Sequence, residues 1–549
     1  MVRDFREALA LGLARGGSLL TAGERSVAGV MLGLTGPPAV LYARLTGRVR
    51  HAFRLPGLVV LGVEDLPSAC AALVEVGLAD PVVSSATRAA CSTREQLVRA
   101  CRALGLPVSG RKHELAQRLA AVPRWDRDPW LRIRHRALIR RLERWAMLDA
   151  WPDRGAVVAA RIGVARWPTY EPTPGVALFP HRRAMCAWEA LADGPFDPTT
   201  ALAGLGAGAA AGPGRMDLRR RLVGGLLEHA RALERGAPDQ AAALYRATSA
   251  HVRLGAVAVR WARAEERAGR PAEALEVLRA ARRSADVRPS EHVAVGRAGR
   301  RLGRTLRAGL PPAPPLELPR RRTVPLAPAP PRDGRPRWDG GDGAQPVERA
   351  VIARLAAEGR TAVRAEAAPW STLFSLLFAE LYFLPVHGAL PMPLLSGPLD
   401  LGSPRFRAAR RDACEALWDS IERGEAPARV RDADARWRGV RLAGARWDTC
   451  DAQLLETLAA SLGPHGLRAV LEPMSEHGPR AAAGMPDLVV LPGPEIRLTD
   501  AHPTRVAASI VLVEVKGPGD SVRDEQLVWH DRLTRAGVPI EVWEIVARR

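Results

Sequence analysis

The chain has 549 residues, 47% of them apolar, too many for one hydrophobic core and apolar enough to bury roughly three or four. Lys and Arg number 80 against 59 Asp and Glu, and the formal charge of +21 excludes a disordered acidic chain and attracts a polyanion, nucleic acid foremost. The six cysteines (Cys70, Cys91, Cys101, Cys186, Cys414, Cys450) form no C-x-x-C pair and no Cys/His spacing suited to zinc, which excludes a disulfide framework and a zinc finger.

Asp4 and Glu7 precede the first short apolar run, a poor match to a signal peptide, and no strongly apolar run reaches the ~18 residues of a membrane span. A cytoplasmic protein is expected, nucleoid-associated in a bacterium. Residues 1–88 read as short amphipathic helices in a DNA-binding, winged-helix-like module, with Arg44, Arg48 and Arg54 as candidate DNA contacts. Within residues 89–150, Ser92-Thr93-Arg94-Glu95 has the Ser-x-x-Glu pattern of a capping box. Gly105-Leu106-Pro107 ends that helix, and Ser109 caps a second one through Leu115 and Leu119. Beyond residue 123, Trp125, Trp130 and Trp145 interleave with Arg132, Arg134, Arg136, Arg140, Arg141 and Arg144. That pattern fits a face tracking a phosphate backbone or a solvated helix face packed through its Trp and Leu residues.

Residues 151–307 read as a helical, tetratricopeptide-like domain, nearly all helix formers over 216–307. Gly236-Ala-Pro-Asp and Gly269-Arg-Pro-Ala recur 33 residues apart, each ahead of an Ala/Leu-rich helix. The period suits stacked helix pairs of the tetratricopeptide kind, with a plain bundle as the alternative. Residues 308–346, rich in Pro, Gly and Arg, read as a linker or a surface strap. Helical patterning resumes from Val347 to about Ala357 and from Ser371 to Leu384.

The tail then changes character. Leu488–Leu491, Ile510–Val513 and Val542–Val546 are short runs dense in β-branched residues, and read as strands. Asp487 follows Met485-Pro486 at the head of the first. Glu514 and Lys516 lie two apart on the second and share a face, while Val513 and Val515 take the other. Burying such charges together is costly unless something uses them. Asp487 and Glu514 offer the hard oxygens that Mg²⁺ or Mn²⁺ prefer. Such a cation acidifies water and stabilises charge on a scissile phosphate, with Lys516 placed to orient the water or neutralise the phosphoryl oxygens. The alternative is a structural Glu514–Lys516 ion pair. A Gly517-Pro-Gly-Asp520 loop and a helix bearing Gln526 and Trp529 follow. Asp520 and Asp524 fit a loop cap and a helix N-terminal charge as well as they fit a metal site. His477 and His502 are not expected to be catalytic, and the only two lysines, Lys112 and Lys516, both fall in motifs.

Gly484-Met-Pro-Asp487-Leu-Val-Val, Val513-Glu514-Val-Lys516-Gly-Pro-Gly-Asp520 and Asp524-Glu-Gln526-Leu-Val-Trp529 resemble the VRR-NUC branch of the PD-(D/E)xK nucleases. Leu104-Gly-Leu-Pro-Val-Ser-Gly110-Arg-Lys112-His-Glu-Leu115-Ala-Gln-Arg-Leu119 resembles the SAP motif, a helix-loop-helix DNA binder, with Arg111 and Lys112 as phosphate contacts. This order of segments, with Arg166-Trp-Pro-Thr-Tyr170-Glu171, Pro398-Leu-Asp400-Leu and Arg446-Trp447-Asp448, resembles the Fanconi-associated nuclease family over most of the chain.

The resemblance implies a multidomain protein, mostly α-helical over its N-terminal two thirds. A C-terminal α/β nuclease over residues 347–549 would follow, with a mixed sheet flanked by helices. It implies a metal-binding Glu upstream of the sheet, matched by Glu366 in Arg364-Ala-Glu366. The implied metal set is Glu366, Asp487, Glu514 and Val515; the implied catalytic set is Asp487, Glu514, Lys516 and Glu366. Gln526 and Glu380 stand behind them, and Glu380 rivals Glu366. Arg364 stands where the family usually has His. Glu514 lies 27 positions after Asp487, longer than usual, so a loop is expected to be inserted over Pro492–Ser509.

The expected function is a structure-selective, divalent-metal-dependent DNA nuclease. The resemblance implies 5′-flap cleavage and 5′-to-3′ exonuclease action in DNA repair, including interstrand crosslink repair, on branched or 5′-flap duplex. The rivals are a junction resolvase or restriction-type nuclease, and a DNA-binding scaffold with an inactive nuclease domain.

Overall fold

Amphipathic patterning makes most of this chain helical, and the β-branched runs of its tail make a single mixed sheet. The computed structural model describes the chain outside residues 1, 124, 148–162, 174–180, 184, 187–196, 207–212, 285–286, 309, 311–314, 333–334, 342, 392, 492–509 and 549. The expected loop over Pro492–Ser509 and His502 lie outside the described residues. Two compact units form, Met1–Asp153 with Ala177–Met185, and Arg154–Val176 with Cys186–Arg549.

In the first unit the helix Val2–Gly16 packs on the helix Arg136–Met147. Strands β1 (Ala52–Arg54), β2 (Ala79–Asp80) and β3 (Trp130–Ile133) form an antiparallel sheet in the order β1-β3-β2. Residues 130–133, expected on a basic helix, are therefore a central strand, because Trp130, Leu131 and Ile133 are all buried. That strand joins segments 1–88 and 89–150 into one body rather than two successive modules.

The SAP-like helices Arg94–Ala103 and Lys112–Ala120 close over Ala89, Leu97, Cys101, Leu115 and Leu119. Their caps differ from expectation. Thr93 is the N-cap: its Oγ1 accepts the Gln96 N–H at 3.1 Å, and Gln96 Oε1 accepts the Thr93 N–H at 2.7 Å. Ser92 is unavailable, its hydroxyl donating to the Arg88 carbonyl at 2.8 Å. Ser109 does not cap the second helix either; Glu114 Oε2 accepts the Arg111 N–H there at 2.8 Å.

In the second unit the helices Pro238–Ser249, Leu254–Arg267, Pro271–Arg283 and Pro289–Leu306 each pack on the next. The two Gly-x-Pro repeats are helix starts with Pro in the first turn, where its missing N–H costs nothing.

The stretch 308–346 is not a linker. It supplies β4 (Arg320–Leu326), β5 (Pro328–Arg332), β6 (Arg335–Asp339) and β7 (Ala344–Gln345). With β8 (Ala362–Arg364), β9 (Leu488–Val490), β10 (Val511–Lys516) and β11 (Ile540–Ala547), β4 builds a five-stranded sheet in the order β4-β11-β10-β9-β8. β4, β11 and β10 run parallel, while β9 is antiparallel to both its neighbours. Val324 and Leu326 alternate inward from β4, and its Pro325 is tolerated because an edge strand leaves one side unbonded. Arginine and proline in that stretch concealed a period-two pattern only two residues long.

Both faces of this sheet are covered. The helix Val347–Ala357 lays Ala350, Val351 and Leu355 on Leu488, Val490, Val513 and Val515. A layer containing Phe374, Phe378, Trp418, Leu458 and Val470 shares a core with Val489, Leu512 and Ile540 on the other. The apolar helix expected over Ser371–Leu384 is two, Ala368–Leu377 and Ala379–Tyr382. Among the described residues no single helix is long and apolar enough to cross a membrane.

Val324→Asp tests the reassigned strand. Burying an unpaired carboxylate against Val513 and Trp543 should cost about 3 kcal/mol, read as a lower urea midpoint for the C-terminal unit. A change within about 0.5 kcal/mol, as for a surface linker, would contradict the assignment.

Candidate active site

β10 is buried on both faces, and Glu514 in its middle is 0% exposed. Its Oε1 lies 2.7 Å from Lys516 Nζ and accepts from Gln526 Nε2 at 2.6 Å. Gln526 in turn accepts from Lys516 Nζ at 3.0 Å and from the Arg523 N–H at 2.9 Å. One amide thus locks both charged residues and the loop behind them. The expected shared face is observed, and so is the ion pair that was its alternative reading.

Asp487 sits directly ahead of β9, the strand beside β10. Its Oδ2 accepts the Val515 N–H at 2.8 Å, and its main-chain carbonyl accepts the Ala365 N–H at 2.8 Å. Gly484 allows this approach: at φ +90°, a Cβ there would lie 2.8 Å from Glu525 Cβ and 3.0 Å from its carbonyl carbon. Trp529 Nε1 donates to the Ala483 carbonyl at 3.1 Å and pins the helix Asp524–Arg535 to the same turn.

Burial and the neighbouring Glu514 charge push the Asp487 carboxyl up to about 7, against the opposing pull of the Val515 N–H and Lys516. Glu348, in the first turn of the helix Val347–Ala357, adds to the rise. Sequence reasoning missed Glu348. The antiparallel pairing of β8 with β9 brings the start of that helix to the Asp487 end of the sheet, a relation no local spacing shows. His530 was missed too: it is 1% exposed, with Nε2 3.8 Å from Glu514 Oε2.

Glu366 reaches the site only by its backbone neighbour Ala365. Its carboxylate is exposed and bound to Arg364 Nη2 at 2.7 Å. Glu380 pairs with Arg436 at 3.1 Å in the helical layer and makes no hydrogen bond or ion pair to Asp487 or Glu514. The Val515 side chain packs in the opposite core, so only its main chain faces Asp487. Among the described residues no three His, Cys, Asp or Glu side chains are grouped to hold a metal ion. A divalent cation nevertheless fits the donors: Glu514 Oε2 is buried without a hydrogen-bond partner, and Asp487 is held near a second carboxylate in a desolvated place. Asp524 is paired with Arg297, and the Asp520 main-chain N–H closes a turn onto the Gly517 carbonyl.

In the first unit Arg111 and Lys112 are exposed at a helix start, and Arg48 is exposed beside Phe53. Arg44 is half-buried, with its Nε lacking a partner. Arg54 is engaged by Asp128 and lies 3.9 Å from Asp126.

The VRR-NUC domain family matches residues 423–546 and the SAP domain family residues 93–121. Fanconi-associated nuclease 1 of Danio rerio is 30% identical over 190 residues, covering 34% of this chain and 18% of that protein. A Fanconi-associated nuclease 1 homologue of Pseudomonas aeruginosa is 32% identical over 200 residues, covering 36% of this chain and 33% of that protein. The matched stretch thus spans a third or less of these relatives. The crystal structure of paFAN1 bound to DNA with a two-nucleotide 5′ flap and a gap is similar at TM-score 0.83 and 26% identity, over 100% of this chain and 98% of that one. Its counterpart with a one-nucleotide flap gives 0.82, over 100% and 99%.

The raised Asp487 carboxyl makes a signed prediction. Its folded value of about 7 exceeds the ordinary 3.8, so the stability it contributes is complete below 3.8 and is lost as pH rises through 7. In chelator, the melting temperature of the wild type relative to Asp487→Asn should therefore fall between about pH 4 and about pH 7 and be level above that. Parallel curves for the two proteins would refute the shift.

Proposed function

Because this chain belongs to the Fanconi-associated nuclease family, we propose that it is a structure-selective, divalent-metal-dependent DNA nuclease. The observation that carries this reading is the desolvated Asp487–Glu514 pair, bridged to Lys516 through Gln526. A structural ion pair would leave no buried carboxylate oxygen over, and here Glu514 Oε2 remains unpartnered.

Mg²⁺ or Mn²⁺ would be held by Asp487, Glu514, the Val515 main chain and Glu366. When bound, the cation neutralises charge on the scissile phosphate and acidifies an attacking water. Asp487 and Glu514 contribute negative charge in a place that excludes solvent, where each interaction is stronger than in water. Lys516, fixed by Gln526, presents an ammonium that orients the water or offsets charge on the phosphoryl oxygens. Gln526 positions both without reacting.

DNA would meet the first unit through Arg111 and Lys112 at the N-terminus of a helix, where main-chain N–H groups also favour phosphate. Arg44 and Arg48 are further contacts, and Arg54 is the weakest because Asp128 already neutralises it. Likeness over the whole chain to structures holding 5′-flap DNA supports a 5′-flap substrate. On that reading the enzyme cuts 5′ flaps, trims 5′ to 3′, and serves DNA repair, interstrand crosslink repair included, in the cytoplasm at the nucleoid.

The test is cleavage of labelled 5′-flap, 3′-flap, four-way-junction and plain duplex DNA with Mn²⁺. The 5′ flap should be cut fastest and chelator should stop all cutting. Asp487→Ala should lower the rate by more than about a hundredfold, since changes behind the ligands alone cost about 10–100-fold, while DNA binding persists. Equal cutting of all four substrates would refute structure selectivity, and a wild type that binds DNA without cutting it would leave a scaffold.

A further inference from the structure

The helix Asp524–Arg535 aims two side chains at Glu514, and only one has been given a task. Gln526 takes Glu514 Oε1. His530, one turn on and on the same helix face, is 1% exposed and stands with Nε2 3.8 Å from Glu514 Oε2. Both of these atoms are buried and have no hydrogen-bond partner among the described residues. Two orphaned, complementary polar atoms facing each other inside a core are rare, because each would forfeit its hydrogen bonds to water for nothing. Trp529 and Leu533 on either side are apolar and buried, so an aliphatic side chain at 530 would have met the packing need alone.

We propose that His530 is a positioning residue for the metal-binding carboxylate. Its Nε2–H donates to Glu514 Oε2 once the side chains close the remaining distance, and with Gln526 it holds Glu514 at both oxygens. A carboxylate has about four lone-pair sites, so Oε2 accepts this bond and still has one free for a divalent cation. Fixing a ligand's rotamer before the cation arrives removes an ordering cost from binding. The imidazole touches neither substrate nor the reacting phosphate. The inference rests on the nuclease reading of Asp487 and Glu514, and adds to it a residue that determines cation affinity.

The experiment is direct Mn²⁺ titration of the full-length chain without DNA, followed by calorimetry and by the electron paramagnetic resonance signal of the free ion. His530→Leu keeps the volume and removes the donor, and should weaken Mn²⁺ binding by about 10-fold or more. His530→Gln restores an N–H donor and should recover most of that loss, which a purely structural role would not produce. Unchanged Mn²⁺ affinity in His530→Leu, or no recovery in a folded His530→Gln, would overturn the proposal. Nitrogen hyperfine coupling from a coordinated imidazole would also overturn it, by making His530 a ligand. Glu514→Gln separates the two levels. If it leaves Mn²⁺ binding intact, the metal-site reading itself fails; if it abolishes binding while His530→Leu changes nothing, only the present inference fails. Should His530→Leu not fold, judged by its melting profile in chelator, His530→Gln alone decides: Mn²⁺ affinity near wild type with the amide in place supports a donor role, and a loss as large as that of Glu514→Gln contradicts it.

Discussion

A carboxylate with no solvent exposure at the centre of a sheet is the constraint around which the C-terminal half of this protein is arranged. Glu514 cannot be stabilised by water, so its surroundings must supply every compensating charge and hydrogen bond. Lys516 comes from the same strand, where a spacing of two residues puts it on the same face for geometric reasons alone. Gln526 comes from the crossover helix that follows. Asp487 sits just ahead of the neighbouring antiparallel strand, and burial, with the Glu514 charge beside it, raises its pKa. Cations and donors thus come from β10 and its crossover helix, and the second carboxylate from just ahead of β9. The fold that joins them, parallel β10 and β11 linked by a helix, is the shortest connection that returns a parallel strand.

The helix Asp524–Arg535 has to be held firmly for this to work, and its contacts are spread along its length. Asp524 is paired with Arg297 of the helical stack, Trp529 reaches the Ala483 carbonyl, and Arg532 binds the Ala469 carbonyl at 2.7 Å and Glu472 at 2.6 Å. Arg535 and Asp531 hold the strap at residues 315–317, with Arg535 Nη1 2.7 Å from Glu317 Oε1. Each exposed pair contributes little by itself. Together they fix the axis of the helix, and through it the angle at which Gln526 meets Glu514.

How much of this could be read from the sequence depends on how far apart the partners lie. Glu514, Lys516 and the Pro-Asp487 strand start were legible because strand periodicity and a turn residue are local facts. Gln526 followed from the helix after the loop. Glu366 came only through family likeness, since it enters beside Asp487 by the β8–β9 pairing, 121 positions upstream in the sequence. Glu348 gave no local signal. His530 did give one, an offset of four from Gln526 on a single helix, but offset alone does not say which face is turned inward. β4 and β3 were misread for a different reason. Arg-rich composition looked like solvated surface, whereas short strands need only every second residue to be apolar.

Glu366 poses the remaining physical question, since its carboxylate is turned to Arg364 rather than to Asp487. Both side chains are more than half exposed, at 52% and 58%. An ion pair of that kind contributes about 0–1 kcal/mol, because water screens the attraction and two flexible side chains lose freedom to form it. A divalent cation held by Asp487 and Glu514 would act instead in a desolvated setting, where Coulomb interactions are stronger than in water. The competition for Glu366 is therefore unequal. The guanidinium holds it loosely at the rim, and the field of a bound cation would lie one residue inward, behind the Ala365–Asp487 hydrogen bond that fixes the backbone beside it. The arginine at position 364 sets where Glu366 rests without deciding which partner it prefers.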